Sequence, residues 1–188
     1  MSQKGLAGIL LLTGALLVGA VVFDSINSEG KKDSAQNSGD DSQNSTSNYS
    51  GNYSGVDHEL ARECLESHSN LSQHFHPYLS LYVDGQQVAI EANAGIGTEV
   101  CDGMHVVHTH DSSGKLHVET HEPAEVVLGV FFQIWDVYLD DDGIFDKRVN
   151  ETHELVMSVD GVVVDTYEDH ILSDAQQIVI EYRERAQG

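Results

Sequence analysis

The feature that most constrains this chain is an apolar stretch near its start. Residues 5–23 contain no charged side chain. A transmembrane helix needs about 20 mostly apolar residues to cross the hydrocarbon core of a bilayer, and Lys4 just before the stretch favours an N-terminus inside the cell. We therefore expect residues 1–4 to form a cytoplasmic end and residues 5–23 a single-pass anchor in the cell membrane, with the remaining chain outside the cytoplasm.

Two further interpretations of this stretch involve its processing. The residues Val18, Gly19 and Ala20 are typical of a signal-peptidase site, in which case the stretch is a cleaved signal. Residues 3–7 resemble an archaeal type IV prepilin processing site, and cleavage after Gly5 would leave a hydrophobic helix that bundles into a filament. The apolar run is longer than a typical signal core, which favours the uncleaved anchor.

The composition of the next segment, residues 24–55, does not support folding. It is rich in Ser, Asn, Gly and Asp and nearly free of large apolar side chains, so it cannot bury enough surface to offset the entropy of ordering. We expect a flexible, glycosylated tether, because N-glycosylation sequons cluster in it. The sequons of the chain begin at Asn44, Asn48 and Asn52 in this segment and at Asn70 and Asn150 beyond it.

The net charge of the chain excludes one class of partner. Asp and Glu number 31 against 9 Lys and Arg, which gives a formal charge of −22. Nucleic-acid binding depends on basic side chains that neutralise phosphates, so we expect no nucleic-acid partner. Such an acidic excess is typical of proteins from salt-loving or marine archaea, where salt screens the self-repulsion, and it also suits a well-solvated surface.

The two cysteines, Cys64 and Cys101, have three interpretations. Outside the cytoplasm a disulfide between them is favoured, and the chain-entropy model gives such a bond a stabilisation of roughly 3–4 kcal/mol. They also fit two buried thiols. In the third interpretation Cys101 binds copper together with Met104 and a nearby histidine, because soft sulfur ligands favour copper.

Residues 56–188 are expected to form one β-rich globular domain of the α+β class, built from hairpins with one core helix. The expected elements, in chain order, are a helix at 57–68, a hairpin turning at 84–85, a loop at 94–97, a histidine-bearing hairpin, a core helix at 128–139, a solvated loop at 140–143, a strand pair turning at 160–161 and a last strand at 178–182. The order of hairpin, helix, strand pair and final strand resembles the β-grasp arrangement of ubiquitin-like domains.

The densest set of metal-capable side chains lies in residues 101–119. His108 and His110 are two residues apart, so on a strand they point to the same face. The turn-forming residues 111–114 predict a hairpin that brings His117 back to the level of His108 or His105, depending on the register.

A second pair, His74 and His76, precedes Pro77 and a strand-like run. Two such pairs on neighbouring strands can supply three or four imidazoles to one cation, and imidazole-rich sites suit copper and zinc. On its own, a histidine on a strand is often a half-buried polar residue with a hydrogen-bond partner. The candidate metal ligands are His108, His110, His74, His76, His117 and His105.

The pattern around these histidines resembles that of an uncharacterised family of archaeal and bacterial extracytoplasmic proteins. Its core here runs from Cys101 to Glu119 and reads C-x6-H-T-H-D-x-S-G-x-x-H-x-E. The family pattern has a third histidine in the first cluster, where this chain has Tyr78. The resemblance extends from about residue 64 to the C-terminus and implies an extracytoplasmic location without an assigned activity. Other matching stretches are 74–79, 83–85, 94–97 and 128–135.

Three functional hypotheses follow. The leading one is a membrane-anchored extracytoplasmic domain that binds copper or zinc through a histidine cluster. The second is a cell-surface structural or interaction protein, such as a glycosylated adhesin or a pilin-like subunit, with a surface-protein partner or a homo-oligomeric assembly. The third is a metalloenzyme in which three histidines leave an open metal position and Glu119 or Asp111 acts as a base.

Overall fold

The structure, a computed structural model, describes Tyr53 and residues 55–187. The predicted anchor at residues 5–23, the prepilin-like site and the sequons at Asn44, Asn48 and Asn52 lie outside the described residues. Within the part of the chain that is described, no helix is both long enough and apolar enough to cross a bilayer.

The described residues form a β-rich α+β domain with one α-helix, as the sequence predicts. The helix α1 spans Leu128–Trp135, and two 3-10 turns span Glu59–Arg62 and Tyr167–Asp169. The strands are β1 (Cys64–Leu65), β2 (Gln73–Phe75), β3 (Tyr78–Val83), β4 (Gln86–Val88), β5 (Ile96–Thr98), β6 (Cys101–His105), β7 (Val107–His108), β8 (His117–Thr120), β9 (Leu139–Asp140), β10 (Gly143–Ile144), β11 (Lys147–Arg148), β12 (His153–Val159), β13 (Val162–Val164) and β14 (Gln177–Glu184).

The largest sheet has five strands in the order β13-β12-β14-β3-β4. The last strand, β14, lies parallel to β3, and the other neighbours are antiparallel. Side chains on β3 and β14 alternate between the core and the outer face, which is the period of two that a half-buried strand requires. The buried positions on these two strands are Leu79, Leu81, Val83, Ile178, Ile180 and Tyr182.

Helix α1 fills the core with its aromatic side chains. Phe131 and Phe132 are fully buried and belong to the same hydrophobic cluster as the inner side chains of the five-stranded sheet. The helix ends where Asp136 takes a left-handed conformation (φ 57°), a common helix C-cap. The predicted helix is therefore confirmed up to Trp135, but its extension to Leu139 is wrong, because Leu139 begins β9.

The histidine-rich segment forms a three-stranded antiparallel sheet in the order β2-β8-β7, with β8 in the middle. His108 on β7 is opposite His117 on β8, and His74 on β2 is opposite Glu119 on β8. The predicted hairpin is present, with His108 and not His105 opposite His117. Along the chain, β2 directly precedes the β3–β4 hairpin, whereas β7 and β8 follow it after β5 and β6.

A third sheet, in the order β1-β6-β5, carries the disulfide. Cys64 on β1 is bonded to Cys101 on β6, which confirms the predicted bridge. The bond also excludes Cys101 as a copper ligand, because its Sγ atom is already used. The predicted helix at 57–68 is wrong. Only Glu59–Arg62 form a helical turn, and the chain then extends so that Cys64 and Leu65 pair with β6.

Two segments that were expected to be loops contribute strands. Residues 94–97 lead into β5, which pairs with β6. Residues 140–143 form the turn and the adjoining ends of β9 and β10, in a small sheet of order β11-β10-β9. The strands β5, β9 and β10 have only two or three residues each, which is shorter than the runs that alternation in a sequence can reveal.

Candidate metal centre

One face of the β2-β8-β7 sheet gathers imidazoles and one carboxylate. His117 and Glu119 lie two residues apart on the central strand, so they point to the same face. Their cross-strand neighbours on that face are His108 on β7 and His74 on β2. Pairs directly opposite each other on antiparallel strands stand about 5 Å apart, and the rings of His108 and His117 have centroids 5.4 Å apart.

Thr109, between the two histidines of the H-x-H pair, holds the end of β7 in place. It is fully buried, and its hydroxyl donates to the Glu91 carbonyl at 2.7 Å and accepts from the Ala94 backbone N–H at 3.0 Å. Its own N–H donates to the Ala94 carbonyl. These bonds turn Thr109 into the protein, so that His108 and His110 face the other side, with ring centroids 5.0 Å apart.

His108 forms the buried floor of the cluster and has the tautomer of a metal ligand. Its Nδ1 lies 2.9 Å from the His105 carbonyl oxygen, and since a carbonyl only accepts, Nδ1 carries the proton. Nε2 is then left with a free lone pair. The residue is 0 % exposed, and Nε2 has no hydrogen-bond partner among the described residues. Metal-binding histidines commonly donate their second ring N–H to a backbone carbonyl in this way.

His117 lies at the centre of the cluster. Its Nδ1 is 3.2 Å from His76 Nε2, and its ring centroid is 4.5 Å from those of both His76 and His110. In this contact one imidazole donates and the other accepts. The chain's two H-x-H pairs therefore meet at a single imidazole on the strand between them.

Glu119 is a carboxylate with unusual surroundings. It is 0 % exposed, and its described ion-pair partners are two histidines and no Lys or Arg. His68 Nδ1 lies 2.8 Å from Oε2 and 2.9 Å from Oε1, and His74 Nε2 lies 3.2 Å from Oε1. A carboxylate taken fully out of water needs a cation or several hydrogen bonds to offset the lost hydration.

Three groups of side chains within the described residues place their ligand atoms within 4.8 Å of one another, so each group could hold one metal ion. Two consist of imidazoles only, and one combines two imidazoles with a carboxylate. Zinc and copper both accept three such ligands, with a remaining position for water. The groups are His74, His76 and His117; His108, His110 and His117; and His68, His108 and Glu119.

Burial is graded across the cluster. His108 and Glu119 are completely buried, His76 and His117 are half-buried, and His110 is exposed. The outer side chains of His68 and His74 are 49 % and 44 % exposed. The centre is therefore a bowl with a dry floor and an open rim, through which an ion can enter from solvent.

Burial also keeps the inner imidazoles neutral. Desolvation lowers the pKa of His108 and of His76, and Lys115 adds to the effect at His76. Desolvation, together with the neighbouring His76 and His110, lowers the pKa of His117 to about 3. A neutral imidazole is the form that binds metal, so these side chains need not release a proton at neutral pH.

The structure brings together five of the six predicted ligands: His74, His76, His108, His110 and His117. His105 lies apart. It sits on β6, opposite Cys64, is 2 % exposed and contacts the Thr98 hydroxyl through Nε2 at 3.0 Å. A bend at Val106 separates the sheet of His105 from that of His108, so His105 serves the cluster through its backbone carbonyl.

Two residues of the cluster were not among the predicted ligands. His68 was expected at the end of the helix at 57–68, and Glu119 was expected only as a base. The signal for Glu119 is present in the sequence, because it lies two residues after His117 on the same strand. Asp111, the other candidate base, is exposed, belongs to none of the three groups and accepts the Ser113 N–H at 2.9 Å.

The two described sequon asparagines, Asn70 and Asn150, are both exposed. The Asn150 side chain accepts from Thr152 N–H at 2.9 Å and donates to the Arg148 carbonyl at 3.1 Å. Glycosylation at these and the other sequons stays a prediction.

No known protein family, curated protein or solved structure matches this chain. The assignment of the centre therefore rests on the side chains themselves and on the way the strands place them.

Proposed function

We propose that this chain is a metal-binding protein that takes up copper or zinc at the histidine cluster. The cluster supplies six imidazoles and one buried carboxylate, drawn from β2, β7 and β8, from the residues that directly follow β2 and β7, and from the segment before β2. The protein would capture, buffer or hand on the ion, because the rim of the cluster is open to solvent.

The observation that carries the proposal is the state of His108. Hydrogen bonding to the His105 carbonyl fixes the proton on Nδ1, and the deprotonated Nε2 is buried without a partner among the described residues. Leaving a buried polar atom unpaired costs about 1–3 kcal/mol. A metal ion bound at Nε2 removes that cost, and either His110 with His117 or His68 with Glu119 completes three ligands.

The proposal also includes a place and a scaffold. The uncharged residues 5–23 support a membrane anchor that holds the centre outside the cytoplasm, where the Cys64–Cys101 disulfide is stable. The β3–β4 hairpin, α1, the β12–β13 pair and β14 follow one another in the order of a β-grasp fold. In this view the metal-binding sheet is an addition to that scaffold, built just before β3 and between β4 and α1.

The test is metal uptake by the full-length protein. The purified protein is stripped with a chelator, equilibrated separately with Zn²⁺ and Cu²⁺, freed of excess ion and analysed for metal per chain. We expect at least one tightly held ion of one of these metals. Absence of any uptake would overturn the proposal.

Three variants make the test specific. His108→Ala and His117→Ala should each weaken uptake, because every one of the three groups contains His108 or His117. His121→Ala is the matched control, because His121 is exposed, lies next to β8 and belongs to none of the three groups. Equal uptake by all three variants and the unmodified protein would place the ion elsewhere and contradict the proposed site.

A further inference from the structure

We infer that the centre holds two metal ions at the same time, in sites of different chemistry joined by Glu119; this rests on the proposed function. One site has three imidazoles, from His74, His76 and His117. The other has two imidazoles and a carboxylate, from His68, His108 and Glu119.

The composition of the three groups sets the stoichiometry. The all-imidazole site and the mixed site have no residue in common, so filling one leaves every ligand of the other available. The remaining group takes His117 from the first and His108 from the second. It therefore competes with both and adds no third ion.

Glu119 is placed to serve both sites. Both of its oxygens lie within 2.9 Å of His68 Nδ1 in the mixed site, and Oε1 is also 3.2 Å from His74 Nε2 in the all-imidazole site. A carboxylate between two cations offsets their mutual repulsion, and this effect is strong where water is excluded. Because Glu119 is completely buried, it supplies that charge in the dry floor of the bowl.

The donor sets also predict different metal preferences. A buried carboxylate favours a divalent ion over a monovalent one, because it contributes a full negative charge to a site of low dielectric. Two imidazoles and one carboxylate form a ligand set known from zinc and non-haem iron sites. The all-imidazole site is neutral and accepts copper or zinc. We expect the mixed site to bind Zn²⁺ and to reject Cu⁺.

The experiment is a titration of the full-length, metal-stripped protein with Zn²⁺, followed by calorimetry and by direct analysis of bound metal. The unmodified protein should bind two ions per chain. Glu119→Gln keeps the shape of the side chain and removes its charge. It should weaken the binding of the second ion by more than about 100-fold, so that one ion per chain remains bound. His68→Ala, at the exposed rim, should have the same effect, and His76→Ala should also leave one ion, held by the mixed site.

His121→Ala is the control and should retain both ions. A single ion bound by the unmodified protein would overturn this inference while the proposed function stands, and no bound ion would overturn both. Two ions retained in Glu119→Gln and in His68→Ala would place the second ion outside the mixed site and also overturn the inference. Circular dichroism of each variant verifies that lost uptake does not come from lost folding.

Discussion

His108 and His117 face each other across β7 and β8, with nearly parallel rings whose centroids are 5.4 Å apart. One belongs to the buried floor of the centre and the other to its half-buried middle. Every candidate group of ligands contains at least one of the two. The geometry of this cross-strand pair therefore controls the whole centre.

Replacing His117 should weaken metal binding more than replacing His110. His117 belongs to two of the three groups and contacts the imidazoles of both H-x-H pairs, whereas His110 belongs to one. We expect His117→Ala to lower the affinity for Zn²⁺ by at least about 100-fold and His110→Ala by no more than about 10-fold. Competition with a chromophoric chelator measures both, and an equal loss in the two variants would contradict the central role of His117.

The metal-free protein should lose stability in mild acid through His117. Its pKa in the folded protein is about 3, below its value of about 6.5 in an unfolded chain. The unfolded state therefore binds more protons, and the stability that comes from neutral His117 is complete above pH 6.5 and declines as the pH falls towards 3. Relative to His117→Gln, which does not titrate, the unmodified protein should lose about 2 kcal/mol between pH 6.5 and pH 4.

Urea unfolding at several pH values, followed through the fluorescence of Trp135, the single tryptophan, measures this difference. Excess chelator keeps the site free of metal throughout. A difference that stays constant with pH, or that grows in favour of the unmodified protein as the pH falls, would show that His117 is charged in the folded state.

The hairpin of the centre was largely predictable from the local sequence. The contacts that bring distant segments to it were not. The turn residues 111–114 and the alternation on either side of them place His117 beside a histidine of the segment before the turn. They do not distinguish His108 from His105, because that choice depends on the bend at Val106, which alternation does not reveal. Long-range contacts decided the rest.

His68 illustrates such a contact. Apolar residues at helical spacing predicted a helix through this position, but the pairing of Cys64 and Leu65 with β6 outweighs that local preference. The extended chain then brings His68 to Glu119, a residue 51 positions later. The prediction of the core helix is confirmed because Phe131 and Phe132 must be buried in any arrangement. The prediction of its end is wrong because Leu139, which belongs to β9, continues the helical spacing of apolar residues.

Removing the disulfide should destabilise the domain and weaken the centre. The bond closes a segment with a sequence separation of 37, which contains His68, His74 and His76. In the chain-entropy model its loss costs roughly 4 kcal/mol. We expect Cys64→Ser/Cys101→Ser to show this loss in urea unfolding and to bind Zn²⁺ more weakly. Unchanged stability in the double variant would mean that the sheet around β6 holds without the bond.

Glu168→Gln should stabilise the protein at neutral and alkaline pH. Glu168 is 8 % exposed and Oε2 has no hydrogen-bond partner among the described residues. Burial, with Asp140 and Asp169 nearby, raises its pKa to about 7 from an ordinary value of about 4.5. The folded state thus binds the extra proton, so the protein loses stability as the pH rises from 4.5 through 7.

The variant lacks this penalty, and we expect it to gain about 1–2 kcal/mol at pH 8 and nothing at pH 4. Glu151→Gln, at an exposed position, is the control for the loss of one glutamate charge. Urea midpoints at the two pH values decide the matter, and a loss of stability at pH 8 would mean that Glu168 has a favourable partner when ionised.

Alanine at Gly114, in the histidine hairpin, should destabilise the protein through a steric collision. A comparison with Gly161 separates this collision from the strain of the backbone. Both Gly114 and Gly161 have positive φ, 81° and 80°, so alanine at either position carries the strain of a left-handed backbone, about 1 kcal/mol. A Cβ on Gly114 would also lie 2.1 Å from the Leu79 carbonyl oxygen, whereas one on Gly161 meets nothing within 4 Å. The Leu79 N–H donates to the Gly114 carbonyl at 2.8 Å, so the collision lies where the hairpin is attached to β3.

We expect Gly161→Ala to cost about 1 kcal/mol and Gly114→Ala at least about 2 kcal/mol more, with weaker Zn²⁺ binding in Gly114→Ala alone. If both variants lose the same stability and bind Zn²⁺ equally well, the close packing of the hairpin against β3 does not determine the position of His117.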